Sequence, residues 1–392
     1  MDSVVTPSAP AAAASAPAPA PKAEAPLSKR LVSLDVFRGL TIAGMLLVNN
    51  PGSWSHLYGP LAHAPWHGWT PTDLIFPFFL FIVGVAMTFS FGKQVERGAD
   101  RGELMRGAAK RSLKLFLLGI VLASFPWWGY AWSTVRIPGV LQRIGLVFLL
   151  ATPLVLWLGR RAQLAVAAVL LFGYWAAMML IPVPGYGAGD LSADGNLAAY
   201  LDRLILGTAH LWKQSKTWDP EGLLSTVPAI ATTLLGVQAG YWIRSERSQN
   251  AKVVGMLAAG AVGIALGLLW DVVFPINKNL WTSSYVVFTA GMALVSFAVC
   301  YWLVDVKGWQ RWSFPFMLFG VNAIAVFFAS GLGARLLTWI KVGDTSLKGL
   351  IYPAYTANLS PINASLAWAL SYVLLWMGIA WWMYRRKIFI KV

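Results

Sequence analysis

Residues 70–92 read TPTDLIFPFFLFIVGVAMTFSFG. Asp73 is the only charged residue among them, and Lys93 then opens a stretch to Lys114 that holds seven Lys and Arg. At 1.5 Å per residue, such a run is long enough to cross the roughly 30 Å hydrocarbon core of a bilayer as a helix. The basic stretch after it marks the side on which positive loops are retained.

Working outward, apolar segments of similar character fall at 35–50, 112–125, 138–158, 163–182, 222–243, 252–273, 280–303, 312–334 and 364–384. With 70–92 they predict an all-α polytopic membrane helix bundle of about ten transmembrane helices. The composition agrees: 57% of residues are hydrophobic and 12% charged, against about 25% charge in soluble domains. That balance excludes a soluble enzyme and a nucleic-acid-binding domain, although the net charge is +15. No succession of ten-residue alternating strands is present, which argues against an outer-membrane barrel. The single cysteine, Cys300, excludes a disulfide framework and a Cys-ligated metal centre.

The basic residues are better read as topology. With ten spans and a cytoplasmic N-terminus, the inside segments carry 21 Lys and Arg and the outside segments eight, the other two being Arg38 and Arg143 within spans. Both termini are then cytoplasmic. Loop 51–69 has no Lys or Arg but holds His56, His63 and His67, three of the four histidines, so chemistry is expected to face outward. Residues 1–28, dominated by Ala, Pro and Ser (PSAPAAAASAPAPAPKAEAP), are expected to be a disordered cytoplasmic tail. Residues 29–392 form the transmembrane domain.

Ionisable residues inside spans are functional candidates because charge in the bilayer core is costly. Asp35 and Arg38 lie three apart on span 1 and share a helical face with Asn49. They serve either as an interfacial ion pair plus a helix-bridging amide, or as the lining of a passage. Asp73 opens span 2, ten residues after His63. A histidine beside a carboxylate is the core of proton-transfer and acyl-transfer chemistry, while histidines among Trp54, Trp66 and Trp69 also fit an interfacial aromatic belt. The helical HExxH spacing of a zinc site is absent, so no metal is expected. Arg143 sits inside span 4, where a structural pair with Asp73 is an alternative to substrate binding. Asp219 and Glu221 precede span 6 and suit a helix start. Asn277 and Lys278 in INKNLWTSSY are either a polar turn or donors to a ligand. His210 reads as an exposed loop residue and Cys300 as packing.

Six blocks are more specific than these patterns: RLVSLDVFRG (30–39), VNNPG (48–52), HAPWHGWTPTDLIFPFFLFIVG (63–84), IPGVLQRIGL (137–146), WDPEGLLSTVPAIATTLLGVQAG (218–240) and INKNLWTSSY (276–285). In this order they resemble the heparan-α-glucosaminide N-acetyltransferase family and its bacterial relatives. The resemblance implies a transmembrane acyltransferase that takes acetyl from cytoplasmic acetyl-CoA and delivers it to the amine of a glucosamine-type sugar on the opposite side. The family's active histidine carries over to His63, the aspartate of its following block to Asp73, and its VN asparagine to Asn49. The sequence departs from the animal members at His67, where they have Asn, and it shows no counterpart of their large lumenal N-terminal portion. A bacterial amino sugar, in a bacterial inner membrane, is therefore expected rather than heparan sulfate.

Within that reading, Arg38, Arg111 and Lys114 suit the phosphates of acetyl-CoA, and Asn49 lies on the path of its pantetheine arm. Asn277, Lys278 and Arg143 are assigned to the acceptor. His63 acts either as base toward the amine or as a transient acetyl-imidazole nucleophile. Membrane lipid and an amino sugar are the expected partners, nucleic acid is not, and a homodimer is left open. The rival function is a permease in which His63 and Asp73 relay protons for a small amino sugar.

Overall fold

The computed structural model describes residues 31–127 and 131–390; the expected tail 1–28 lies outside these. The described chain folds as α1 (Val32–Asn49), α2 (Ile75–Glu96), α3 (Arg101–Ala123), α4 (Val140–Trp157), α5 (Arg160–Leu180), α6 (Leu197–Leu206), α7 (Thr226–Arg244), α8 (Gln249–Asp271), α9 (Ser283–Tyr301), α10 (Phe314–Val321), α11 (Ala323–Trp339), α12 (Leu347–Ile351), α13 (Pro353–Thr356) and α14 (Pro361–Arg385). Strands are confined, among the described residues, to the two-residue pair Lys341–Val342 and Thr345–Ser346. The protein is thus an all-α polytopic membrane protein.

Each of the ten expected segments contains a helix. Seven helices are long and apolar enough to cross a membrane, or eight when the bent pair α10 and α11 counts as one span. The segment expected as a single span at 312–334 is broken at Asn322, where the two helices meet at 86°. The Asn322 side chain explains why the break is stable: its amide donates to the Ile388 carbonyl at 3.0 Å and its oxygen accepts from Ile390 N–H at 2.9 Å. The basic stretch 93–114 also differs from expectation, since it is largely helical. α2 runs to Glu96, and α3 starts at Arg101 behind Asp100, whose carboxylate accepts from Glu103 N–H at 2.8 Å as an N-cap.

α3 and α7 are not among the helices long and apolar enough to cross a membrane, yet both pack into the bundle. A Cβ on Gly84 of α2 would lie 2.0 Å from the Thr233 carbonyl oxygen, and one on Gly236 2.1 Å from that of Phe81. α2 and α7 are thus in backbone contact, as small residues permit in membrane helices, and they run parallel, since Thr233 Oγ1 donates to the Leu80 carbonyl and, further along both helices, Arg244 to that of Thr88. α3 is antiparallel to α4, with Gly145 against Ser112 and Gly119 against Gln142.

These contacts define two ends. At one, the chain after α1 bonds to the start of α14 (Gly52 N–H to Ser365 carbonyl, 3.2 Å), and α2, α4, α7 and α9 begin. At the other, α1 begins beside the end of the α9 segment (Ser33 N–H to Asp305, 3.0 Å), and Arg244 of α7 bonds the Thr88 carbonyl of α2 at 2.6 Å and pairs with Glu96. The apolar side chains left exposed on α5, α8 and α14, among them Val169, Phe172, Leu269, Leu374 and Leu375, form the surface a lipid phase would cover.

Candidate active site

α2 begins with a short 3₁₀ turn, Pro71–Leu74, that places Asp73. Thr70 and Asp73 form a reciprocal capping box: Asp73 Oδ2 accepts from Thr70 N–H at 3.0 Å and from Thr70 Oγ1 at 3.2 Å, and also from Ala64 N–H at 3.0 Å. Three donors thus fix one carboxylate oxygen. The other, Oδ1, lies 2.6 Å from His63 Nδ1. Asp73 is 1% exposed at its side chain and His63 45%, so a buried carboxylate orients an imidazole that faces out. With Nδ1 directed at the carboxylate, Nε2 is left to accept a proton.

The turn before α9 closes on this pair. Lys278 Nζ lies 3.4 Å from His63 Nε2 and 3.5 Å from Nδ1. Asn277, fully buried, accepts from Leu280 N–H at 3.0 Å, and its amide meets His67 Nδ1 at 3.3 Å. Trp281, in the same turn, has φ of +54° and donates from Nε1 to Thr232 Oγ1 at 3.1 Å. Tyr285, one turn into α9, donates to the Asp73 carbonyl at 2.5 Å.

Beneath lies an ionic network that local sequence patterns did not reveal. Arg136 binds Asp219 through two nitrogens, at 2.8 and 2.6 Å, and Glu221 at 2.5 Å. Asp219 and Glu221, expected as a helix start, are instead held as counter-ions ahead of it. Burial works against the Glu221 charge, but Arg136 outweighs it and keeps that carboxyl below its ordinary value. Asp202 of α6 is pushed up to about 7 by burial, although it accepts from Leu223 N–H at 2.8 Å. Burial also lowers Lys278, against the opposing pull of Glu221 and Asp73, and lowers His67.

Arg143, assigned to the acceptor with a pair to Asp73 as the alternative, does not make that pair. It reaches not Asp73 but the start of α7, donating to the Gly222 carbonyl at 3.0 Å and to Ser225 Oγ, with its guanidinium 5.1 Å from the Trp281 ring centroid. Asp73 is already saturated by its own loop, so Arg143 braces α7 and α9 against one another. His210 also differs from an exposed loop residue: its Nδ1 lies 2.7 Å from the Val135 carbonyl oxygen and the ring is partly buried. Asp35 and Arg38 do pair, at 3.0 Å, and Arg38 also reaches the Gly320 carbonyl at 3.3 Å.

Further along α2 opens a cavity of about 680 Å³ lined by Arg38, by Phe79, Met87, Phe91 and Gln94 of α2, by Glu103 and Arg111 of α3, and by Phe148 of α4. Arg111 lies 5.0 Å from the Phe148 ring centroid. Arg38 and Arg111 are brought together there. Asn49 is exposed at the far end of α1, and Lys114, one turn beyond Arg111, is exposed without lining the cavity. Phe79, at the cavity wall, is six positions on from Asp73, about 9 Å along a helix. The site residues missed in the sequence are Thr70, Arg136, Trp281 and Tyr285. Only Thr70 carried a local signal, the T-x-x-D spacing of a capping box.

Comparison with known proteins gives the family. The model of the family described as heparan-alpha-glucosaminide N-acetyltransferase, catalytic, matches residues 30–267. The human heparan-alpha-glucosaminide N-acetyltransferase is 30% identical over 93% of this chain and 60% of its own length. The mouse protein of the same name is 29% identical over 93% of this chain and 61% of its own length. The chain thus spans about three fifths of the relatives it matches. With His63, Asp73, Arg38 and Arg111 all inside the matched residues, the chain belongs to the heparan-alpha-glucosaminide N-acetyltransferase catalytic family.

Proposed function

We propose that this protein is a transmembrane N-acetyltransferase that moves acetyl from acetyl-CoA to the amine of a glucosamine-type sugar. The observation that carries the reading is the placement of two complementary sites on α2: the His63–Asp73 pair at its start and the cavity holding Arg38 and Arg111 along its length. Family membership supplies the reaction class, and the relatives are named for acetyl transfer to a glucosaminide.

The cavity residues fit acetyl-CoA. Two guanidinium groups suit its phosphates, and the apolar wall of Phe79, Met87 and Phe91 suits the uncharged part of the molecule. A volume of about 680 Å³ lies in the range of cavities that hold molecules of this size. Arg38 and Arg111 would hold the charged end, leaving the pantetheine arm to run along α2 toward His63. Asn49 and Lys114 remain assigned to the ends of that path, and Asn277, whose amide meets His67, to the acceptor.

His63 is the base in this reading. Its Nε2 takes the proton of the attacking amine while Asp73, held by three donors, favours the imidazolium that forms. The acceptor reaches His63 from the exposed side of loop 51–69, which we assign to the outer face of a bacterial inner membrane, with acetyl-CoA entering from the cytoplasm.

The test is purified protein in proteoliposomes with labelled acetyl-CoA on one face and a panel of amino sugars on the other. Label appearing in an N-acetylated sugar, with free CoA released in equal amount, supports the proposal. Sugar crossing the membrane with its mass and the acetyl-CoA unchanged would establish the permease instead.

A further inference from the structure

We propose that Lys278 supplies the positive charge that stabilises the oxyanion formed on the acetyl carbonyl during transfer; this rests on the acetyltransferase reading above. The amino group lies 3.4 and 3.5 Å from the two ring nitrogens of His63. A point nearly equidistant from Nδ1 and Nε2 lies over the face of the imidazole rather than along the Nε2 lone pair. The lone pair therefore stays open to an amine proton, and the ammonium stands beside the reacting atoms.

Among the described residues Lys278 has no carboxylate within ion-pair distance, and the nearest polar atoms to its amino group are the two ring nitrogens of His63. The nearby carboxylates are already engaged: Asp73 by His63 and its own loop, Glu221 by Arg136. A cation without a close counter-ion in the ground state gains most when negative charge appears next to it, which is the condition for lowering a barrier rather than tightening binding. The turn is also built to hold it there. Trp281 adopts φ of +54°, a region uncommon for a bulky residue. It is kept so by its bond to Thr232, by the Lys278 carbonyl accepting from Trp281 N–H at 3.1 Å, and by Asn277 and Thr282 closing the turn. Lys278 also lies beyond residue 267, where the family match ends.

The step is as follows. The amine lone pair forms the N–C bond to the thioester carbonyl carbon, the C=O π pair moves onto oxygen, and the amine proton passes to His63 Nε2. Lys278 donates a hydrogen bond to that oxygen. On collapse the C=O bond re-forms, the C–S bond breaks, and the CoA sulfur leaves with the proton held by His63.

The experiment uses the full chain in proteoliposomes with acetyl-CoA and the amino sugar that the wild type acetylates. K278M should lower kcat by about a hundredfold or more, the usual cost of removing one oxyanion donor, with KM for both substrates within about threefold. K278R should recover at least about tenfold of that loss, since it restores the cation. In K278C combined with C300S, alkylation with 2-bromoethylamine restores an amine of nearly lysine length and should raise kcat by at least about tenfold; this comparison within one folded sample decides the matter if K278M does not fold. A K278M kcat within threefold of wild type, an effect confined to the KM of the amine, or no recovery from either restored cation overturns the role of Lys278. A wild type that acetylates no amine overturns the acetyltransferase reading itself.

Discussion

His63 Nδ1 stands 2.6 Å from Oδ1 of Asp73, and the two side chains differ in exposure as 45% to 1%. The acid is buried where the outer loop turns into α2, and the base projects from it. In H63A, turnover should fall by at least about a hundredfold while acetyl-CoA binding persists, since a positioned base contributes about 10²- to 10⁴-fold. Retention of more than about a tenth of wild-type turnover at neutral pH would be too much for a variant lacking its base. D73N keeps the size of the side chain but removes the charge that favours the imidazolium, so it should lower kcat more than it raises KM.

Arg38 and Arg111 face one cavity from α1 and α3. Phosphate contacts persist from the bound state to the transition state, so R38A and R111A should raise KM for acetyl-CoA about tenfold or more and leave kcat within a few-fold. The reverse pattern, an unchanged KM with a collapsed kcat, would remove these residues from the binding of acetyl-CoA.

Arg136 is ion-paired with two carboxylates, Asp219 and Glu221, that are 0% and 6% exposed at their side chains. R136M leaves both uncompensated and should destabilise the fold by about 3–5 kcal/mol, the cost of breaking a buried pair from one side. Thermal unfolding in detergent measures this. The triple variant with D219N and E221Q should recover much of the loss, and its failure to do so would mean that the network matters through shape rather than charge.

Asp202 has an ordinary carboxyl value of 3.8 that burial raises to about 7 in the folded protein. The folded state then binds the proton more tightly than the unfolded state, so stability from this group is full below about pH 4 and is lost as pH rises toward 7. D202N keeps a carbonyl oxygen for Leu223 N–H without the titration. Its Tm relative to wild type should rise steadily from pH 4 to pH 8, and a difference that does not change with pH would exclude this source of pH sensitivity.

The seven Lys and Arg of 93–114 against none in 51–69 lead to the expectation that these segments face opposite sides of a membrane. Single cysteines at Tyr58 and at Arg106, in a C300S background, should react with an impermeant thiol reagent from opposite faces of oriented vesicles. Reaction of both from the same face would break the ten-span alternation.

The sequence by itself determined the class of this protein, because a run such as 70–92 has only one way to satisfy its backbone in lipid, as a helix. It also offered the pairing of His63 with Asp73, ten residues apart, beside an interfacial reading of the histidines and a pair of Asp73 with Arg143; the T-x-x-D spacing at Thr70, which fixes where the carboxylate points, decides for His63 only once the loop is seen folded. Arg38 was legible as a charge too costly to leave in a span without a purpose. Only the tertiary structure decided the rest. Lys278 meets His63 across 215 residues of chain, and Arg136 meets Asp219 across 83; such partners carry no periodicity, since they are chosen by which helices pack together. Arg143 seemed from its depth in span 4 a partner for Asp73, yet α4 stands against the start of α7, and Gly222 and Ser225 received it instead. Depth along a span is set by sequence, but direction around it is set by packing, through contacts as close as Gly84 against Thr233.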